Sequence, residues 1–121
     1  MESILKGAVE AAVTCPVAWG PHGGDVGMPR VSLWRLTGVP ERSMDGRGVT
    51  FGRVQVDCFG ATFTQAQGIA DQVTAALDEF SSGIVERVIL ATTRDLNEDD
   101  AGYAARRILI FEVTWNDTLP S

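Results

Sequence analysis

The sequence has one lysine (Lys6), one histidine (His22), one tyrosine (Tyr103) and two cysteines (Cys15 and Cys58). Each scarcity excludes something. A lone lysine and scattered arginines, in a chain of formal charge −6, do not make the clustered cationic surface that neutralising nucleic-acid phosphates requires. A Ser-His-Asp or Cys-His machine would have to use His22, which sits in a Gly/Pro-rich loop with no nucleophile in an identifiable frame. It is read as a solvated loop side chain. Two distant cysteines and one histidine cannot supply zinc-ligand spacing. Nor do two cysteines in a chain with an adequate core form a disulfide framework, so both are read as reduced thiols. No run approaches the ~20 apolar residues of a membrane-spanning helix. No basic segment followed by an apolar run marks a secretory signal, so the expected setting is cytoplasm-like.

What is present is ordinary globular material. Of 121 residues, 45% are hydrophobic and 21% charged, which fits one domain over 1–121. A chain of this length buries roughly two thirds of its unfolded surface, enough for a core without staples.

Hydrophobic spacing then divides the chain. Ile4, Leu5, Ala8, Val9, Ala12 and Val13 form one stripe of a short helix over 2–14, stopped by Pro16. Residues 15–29 are dense in glycine and proline and read as a loop, with a brief extended piece at Val17-Ala18-Trp19. Residues 30–37 read as a strand with Val31 and Leu33 on one face and Trp34 and Leu36 on the other. A second strand, 49–59, has Val54, Val56 and Cys58 on one face and Arg53, Gln55 and Asp57 on a face read as wet. The connection from Pro40 to Gly48 carries the turn signal Asp45-Gly46 and is longer than most hairpin loops. Thr62 and Gln65 form a capping box before a long amphipathic helix, 63–80, stepping through Ala66, Ile69, Ala70, Val73, Ala76, Leu77 and Phe80. Gly68 weakens that helix by about 1 kcal/mol relative to Ala. Strands over 84–94 and 103–115 flank a polar turn, 96–102. In the last strand Leu109, Phe111, Val113 and Trp115 face one way and Ile108 and Ile110 the other, which suits a central strand or one covered on its second side. The expected fold is α+β: a four-stranded, mostly antiparallel sheet packed by a long amphipathic helix and a short N-terminal helix.

Motifs with chemistry are thin. Gly20-Pro21-His22-Gly23-Gly24 lacks the lysine and helix of a phosphate-binding loop. Asp95 to Asp100 opens like a calcium loop, but its sixth position is Asp100 rather than Gly and its twelfth is Arg106 rather than Glu. The turn is read as solvated and acidic. Trp19, Trp34 and Trp115 are read as core or interface anchors. No catalytic residue, metal or cofactor is expected, and the chain is read as not an enzyme. The alternative is a small α+β ligand-binding or regulatory module.

The segment Arg53-Val-Gln-Val-Asp-Cys-Phe-Gly-Ala-Thr62, followed by a helix ending Ala75-Ala76-Leu77-Asp78-Glu79-Phe80, resembles the strand-then-helix core of tail-terminator (tail-completion) proteins. These belong to long-tailed bacteriophages and phage-like gene transfer agents. Arg94-Asp95-Leu96 with Tyr103 to Phe111 resembles the family's final hairpin, and Pro29 its lead into the first strand. The similarity covers most of 29–115. It implies a structural virion protein at the head-tail junction, made in the host cytoplasm. Its partners would be other copies in a homo-oligomer (a hexameric ring), the tail tube protein and the head-tail connector or stopper. DNA would pass through the lumen without specific binding, which an acidic chain suits. Ring closure needs head-to-tail contacts. The candidate contact residues are Arg42, Met44, Asp45 and Arg47 of the long loop and Asp99 and Asp100 of the acidic turn, since Met and Arg are enriched at interfaces.

Overall fold

The computed structural model describes residues 2–20, 29–42, 48–96 and 105–116. In chain order they form α1 (Glu2–Ala12), β1 (Val17–Trp19), β2 (Arg30–Arg42), β3 (Gly48–Gly60), α2 (Phe63–Leu77), β4 (Val85–Leu96) and β5 (Ala105–Asn116). The sheet has five strands in the order β1-β2-β3-β5-β4, not four. The additional strand is the Val17-Ala18-Trp19 piece, which pairs in parallel with Val31, Ser32 and Leu33. Backbone bonds bracket it: Val31 N–H donates to Pro16 O at 2.9 Å, and Gly20 N–H to Leu33 O at 2.8 Å. Three residues are too short for alternation to declare a strand. Its existence depends on a partner distant in sequence.

Strands β2 and β3 form an antiparallel hairpin, as do β4 and β5, and β5 also pairs with β3. Of the two readings of the last strand, the central one holds: β5 lies between β3 and β4, and among the described residues no helix covers its second face. Strand β2 runs to Arg42, past Gly38 and Pro40, where sequence reading ended it. Proline is tolerated there for a topological reason. Strand β1 covers only Val31 to Leu33, so the later part of β2 is a sheet edge, where a missing N–H breaks no ladder bond. The connection between β2 and β3 is consequently 43–47, shorter than the loop expected over 40–48.

The core lies between one sheet face and the two helices. Val31, Leu33, Val54, Val56, Cys58, Leu109, Phe111, Val113 and Trp115 from the strands meet Leu5 and Val9 of α1 and Ile69, Ala70, Val73 and Leu77 of α2. Helix α2 begins as its capping box requires. Thr62 Oγ1 accepts from Gln65 N–H at 3.1 Å. The Gln65 side chain reaches back to Ala61 N–H at 2.8 Å, one residue before the cap. Gly60 makes the tight entry possible, since a Cβ there would lie 2.6 Å from Ala66 N and 2.9 Å from Thr62 O.

The helix ends at Leu77, three residues before the expected Phe80. Its exit is tied to β4. Glu79 takes a left-handed conformation (φ 64°), its N–H donates to Val88 O at 2.7 Å, and Asp78 Oδ1 accepts from Leu90 N–H at 3.0 Å. Phe80 still packs against the core, half-buried, so the apolar spacing outlasts the helical backbone.

Candidate functional site: the open face of the sheet

Both helices pack on one side, and the other side of the sheet shows a different chemistry. Register aligns its side chains in rows. Arg30, Phe59 and Arg106 form one row. Ser32, Asp57, Ile108 and Arg94 form the next, then Trp34, Gln55, Ile110 and Thr92. Beyond them lie Arg53, Glu112 and Ile89, then Phe51, Thr114 and Arg87.

The centre of this face is Asp57. Sequence alternation placed it on a wet surface, but it is only 2% exposed. Its carboxylate accepts from three donors: Gln55 Nε2 at 2.8 Å on Oδ1, and Trp34 Nε1 at 3.1 Å and Arg106 Nη2 at 2.9 Å on Oδ2. A buried carboxylate requires this degree of pairing, because desolvation otherwise outweighs any gain. Arg106 and Arg30 also lie over the Phe59 ring, 5.5 and 4.8 Å from its centroid. The cluster thus ties β2, β3 and β5 together on the side no helix covers. With its oxygens engaged by three strand-borne donors, Asp57 fixes register rather than offering a free base. One signal in the sequence pointed to it. Aspartate is depleted in strands, so an Asp inside Val54-Gln55-Val56-Asp57-Cys58-Phe59 needs a partner.

Further along the same face an open groove of about 440 Å³ is lined by Phe51, Arg53, Arg87, Ile89, Glu112 and Thr114. Arg53 and Glu112 pair across it at 3.5 Å, both more than half exposed. Trp34 and Phe51 are exposed by 37% and 45%. Of the three tryptophans read as anchors, Trp115 is core, Trp34 serves the Asp57 cluster, and Trp19 Nε1 donates to Glu2 O at 3.1 Å.

Of the contact residues named from sequence, Arg42 closes β2 opposite Gly48, so it belongs to a strand end rather than to a long loop. Met44, Asp45, Arg47, Asp99 and Asp100 lie outside the described residues, as does His22. Both cysteines are free thiols. Burial pushes the Cys58 thiol well above the ordinary range, Asp57 and Cys15 add to the effect, and Arg107 partly offsets it. Burial also raises Cys15, opposed by a backbone hydrogen bond. Among the described residues no three His, Cys, Asp or Glu side chains are grouped to hold a metal ion, and no helix is long and apolar enough to cross a membrane.

No protein-family model matches the chain, and no curated protein matches it. Among solved structures, it is similar to a chain in the virion of a native gene transfer agent particle. The TM-score is 0.61 at 21% identity, over 94% of this chain and 85% of that one. The two share a fold along almost their whole lengths.

Proposed function

We propose that the chain is a structural virion protein that forms a ring on the end of a tail tube, terminates tail assembly and joins the tail to the head connector. The observation that carries this is the fold shared over 94% of the chain with a component of a gene transfer agent virion. The strand-then-helix resemblance from Arg53 to Phe80 points the same way. A non-catalytic role fits the open sheet face, whose buried carboxylate is engaged by neighbouring strands. The formal charge of −6 fits a part that DNA passes without being gripped.

The test is negative-stain microscopy of the purified chain, alone and with polymerised tail tube protein. Six-fold rings, or caps on tube ends that stop further growth, are the expected result. Tubes that elongate unchanged, with no ring in either sample, would refute the proposal.

A further inference from the structure

Charge is divided between the two sides of the molecule. Among the residues whose side chains are described, the aligned rows of the open sheet face carry five arginines, Arg30, Arg53, Arg87, Arg94 and Arg106, against two carboxylates, Asp57 and Glu112, both already paired; Glu86, exposed at the β4 bulge beside Arg87, lies in no row. On the helical side the described residues of α1, α2 and its exit carry five carboxylates: Glu2, Glu10, Asp71, Asp78 and Glu79. Lys6 and Arg35 offset them there, pairing with Glu10 and Glu2, and Arg107 on the same side of the sheet pairs with a further carboxylate, Asp95. Among the described residues, a chain of net negative charge thus presents a cationic sheet face.

The two faces also differ in shape. The cationic face is a groove with exposed Phe51 and half-buried Ile89. The outer surface of α2 is the exposed side of a helix, with Gly68, Asp71, Gln72 and Ala75 open to solvent; nothing lies within 4 Å of where a Gly68 Cβ would sit. Among the described residues, neither Arg87 in the groove nor Asp71 on the helix has an ion-pair partner. A head-to-tail contact needs two different, mutually complementary surfaces on one chain.

The geometry points to the open sheet face as the receiving half of a contact between copies, with the outer surface of α2 of a second copy as its occupant and Arg87 facing Asp71 across the junction. This rests on the ring reading and supplies the pair of surfaces that would build it. Single-stranded nucleic acid is the competing occupant, since such ligands favour arginine grooves with aromatic side chains. It is disfavoured because Arg106 and Arg53 already serve carboxylates and Arg30 and Arg106 lie over Phe59, leaving few cations to track phosphates.

The experiment is a charge swap on the full chain: Arg87→Glu, Asp71→Arg, and both together. Association is followed by sedimentation over a concentration series, alone and with tail tube, and circular dichroism confirms the fold of each variant. Each single variant should associate about tenfold more weakly or worse, the scale of a like-charge juxtaposition in an interface. The double variant, and an equimolar mixture of the two singles, should regain association, because each pairing then again meets opposite charge. An open filament that responds to the same swaps supports the surface pairing while refuting ring closure. Wild-type rings that both single variants form equally well overturn the pairing and leave the ring standing. Loss in the singles without rescue overturns it too. Binding of an oligo-dT strand by the wild type that Arg87→Glu abolishes would reassign the face to nucleic acid. A wild type that never associates, alone or on tubes, refutes both proposals.

Discussion

The two faces of this sheet are built by opposite rules. The helix-covered face is apolar at its centre, where Val56, Cys58 and Phe111 are fully buried, and carries charge toward its edges, at Arg35 and the Arg107–Asp95 pair. The open face alternates arginines, a buried aspartate and exposed aromatics. The first face holds by area removed from water, which is non-directional and tolerant of detail. The second holds by a few directional bonds around Asp57, each dependent on its partners. The helix-covered side should therefore carry most of the stability, while the open side supplies register and a surface for contact.

The largest expected effect breaks the apolar side. Phe111→Ala removes a ring with no exposed surface and leaves a cavity between β5 and α2. It should cost about 3–5 kcal/mol, read from the shift in a urea melt. Asp57→Ala attacks the open side and should cost about 2–3 kcal/mol. It leaves Arg106 without its carboxylate, and the 22% exposure of that side chain lets water soften the loss. If the aspartate variant proves as costly as the phenylalanine one, the open face is no mere register device. If it costs nothing, the cluster does not hold the strands.

These two residues also show what the sequence could convey. Phe111 was legible because period-2 alternation with Leu109, Val113 and Trp115 assigns a face without knowledge of neighbours. The same rule placed Asp57 in water, because alternation reports which face a side chain is on and not what lies across the strand. Trp34 and Arg106 are 23 and 49 residues from Asp57, so their bonds to it exist only once β2, β3 and β5 are in register. The extended piece Val17-Ala18-Trp19 was legible, but its place in the sheet was not, for the same reason: three residues join a sheet only through Val31 to Leu33. The α2 cap was legible because Thr62 and Gln65 act within one turn. The end of α2 was not, since Asp78 and Glu79 are held by Leu90 and Val88 of another strand. The open-face groove brings together Phe51, Arg87 and Glu112, which no local spacing relates.

A smaller effect separates the faces by pH. Cys58 lies on the covered side, and its thiol is held in the neutral form by burial. In the unfolded chain it ionises near pH ~8.5. Its contribution to stability is present in full below that pH. Above it the unfolded state binds fewer protons than the native one, so unfolding free energy falls as pH rises, by at most about 1.4 kcal/mol per pH unit. Cys15, also raised, acts in the same direction. Urea melts in reductant from neutral to strongly alkaline pH should show this decline, and Cys58→Ala should flatten it. An undiminished slope in that variant would mean that the alkaline sensitivity lies elsewhere.

The smallest effect belongs to the exposed end of the open face. Arg53 and Glu112 pair at 3.5 Å with 58% and 56% of their side-chain surfaces exposed, whereas Arg106 and Asp57 pair at 2.9 Å with 22% and 2%. Water and salt screen the first pair, and ordering two long side chains offsets much of its attraction. A double-mutant cycle with Arg53→Ala and Glu112→Ala should give a coupling below about 0.5 kcal/mol in the monomer, vanishing in high salt. The same cycle on Asp57 and Arg106 should give a value several times larger that persists in salt. Equal couplings would show that exposure does not separate the two ends of this face. Unequal ones would leave the groove end energetically idle in the monomer, where a contacting surface can be held ready without cost to the fold.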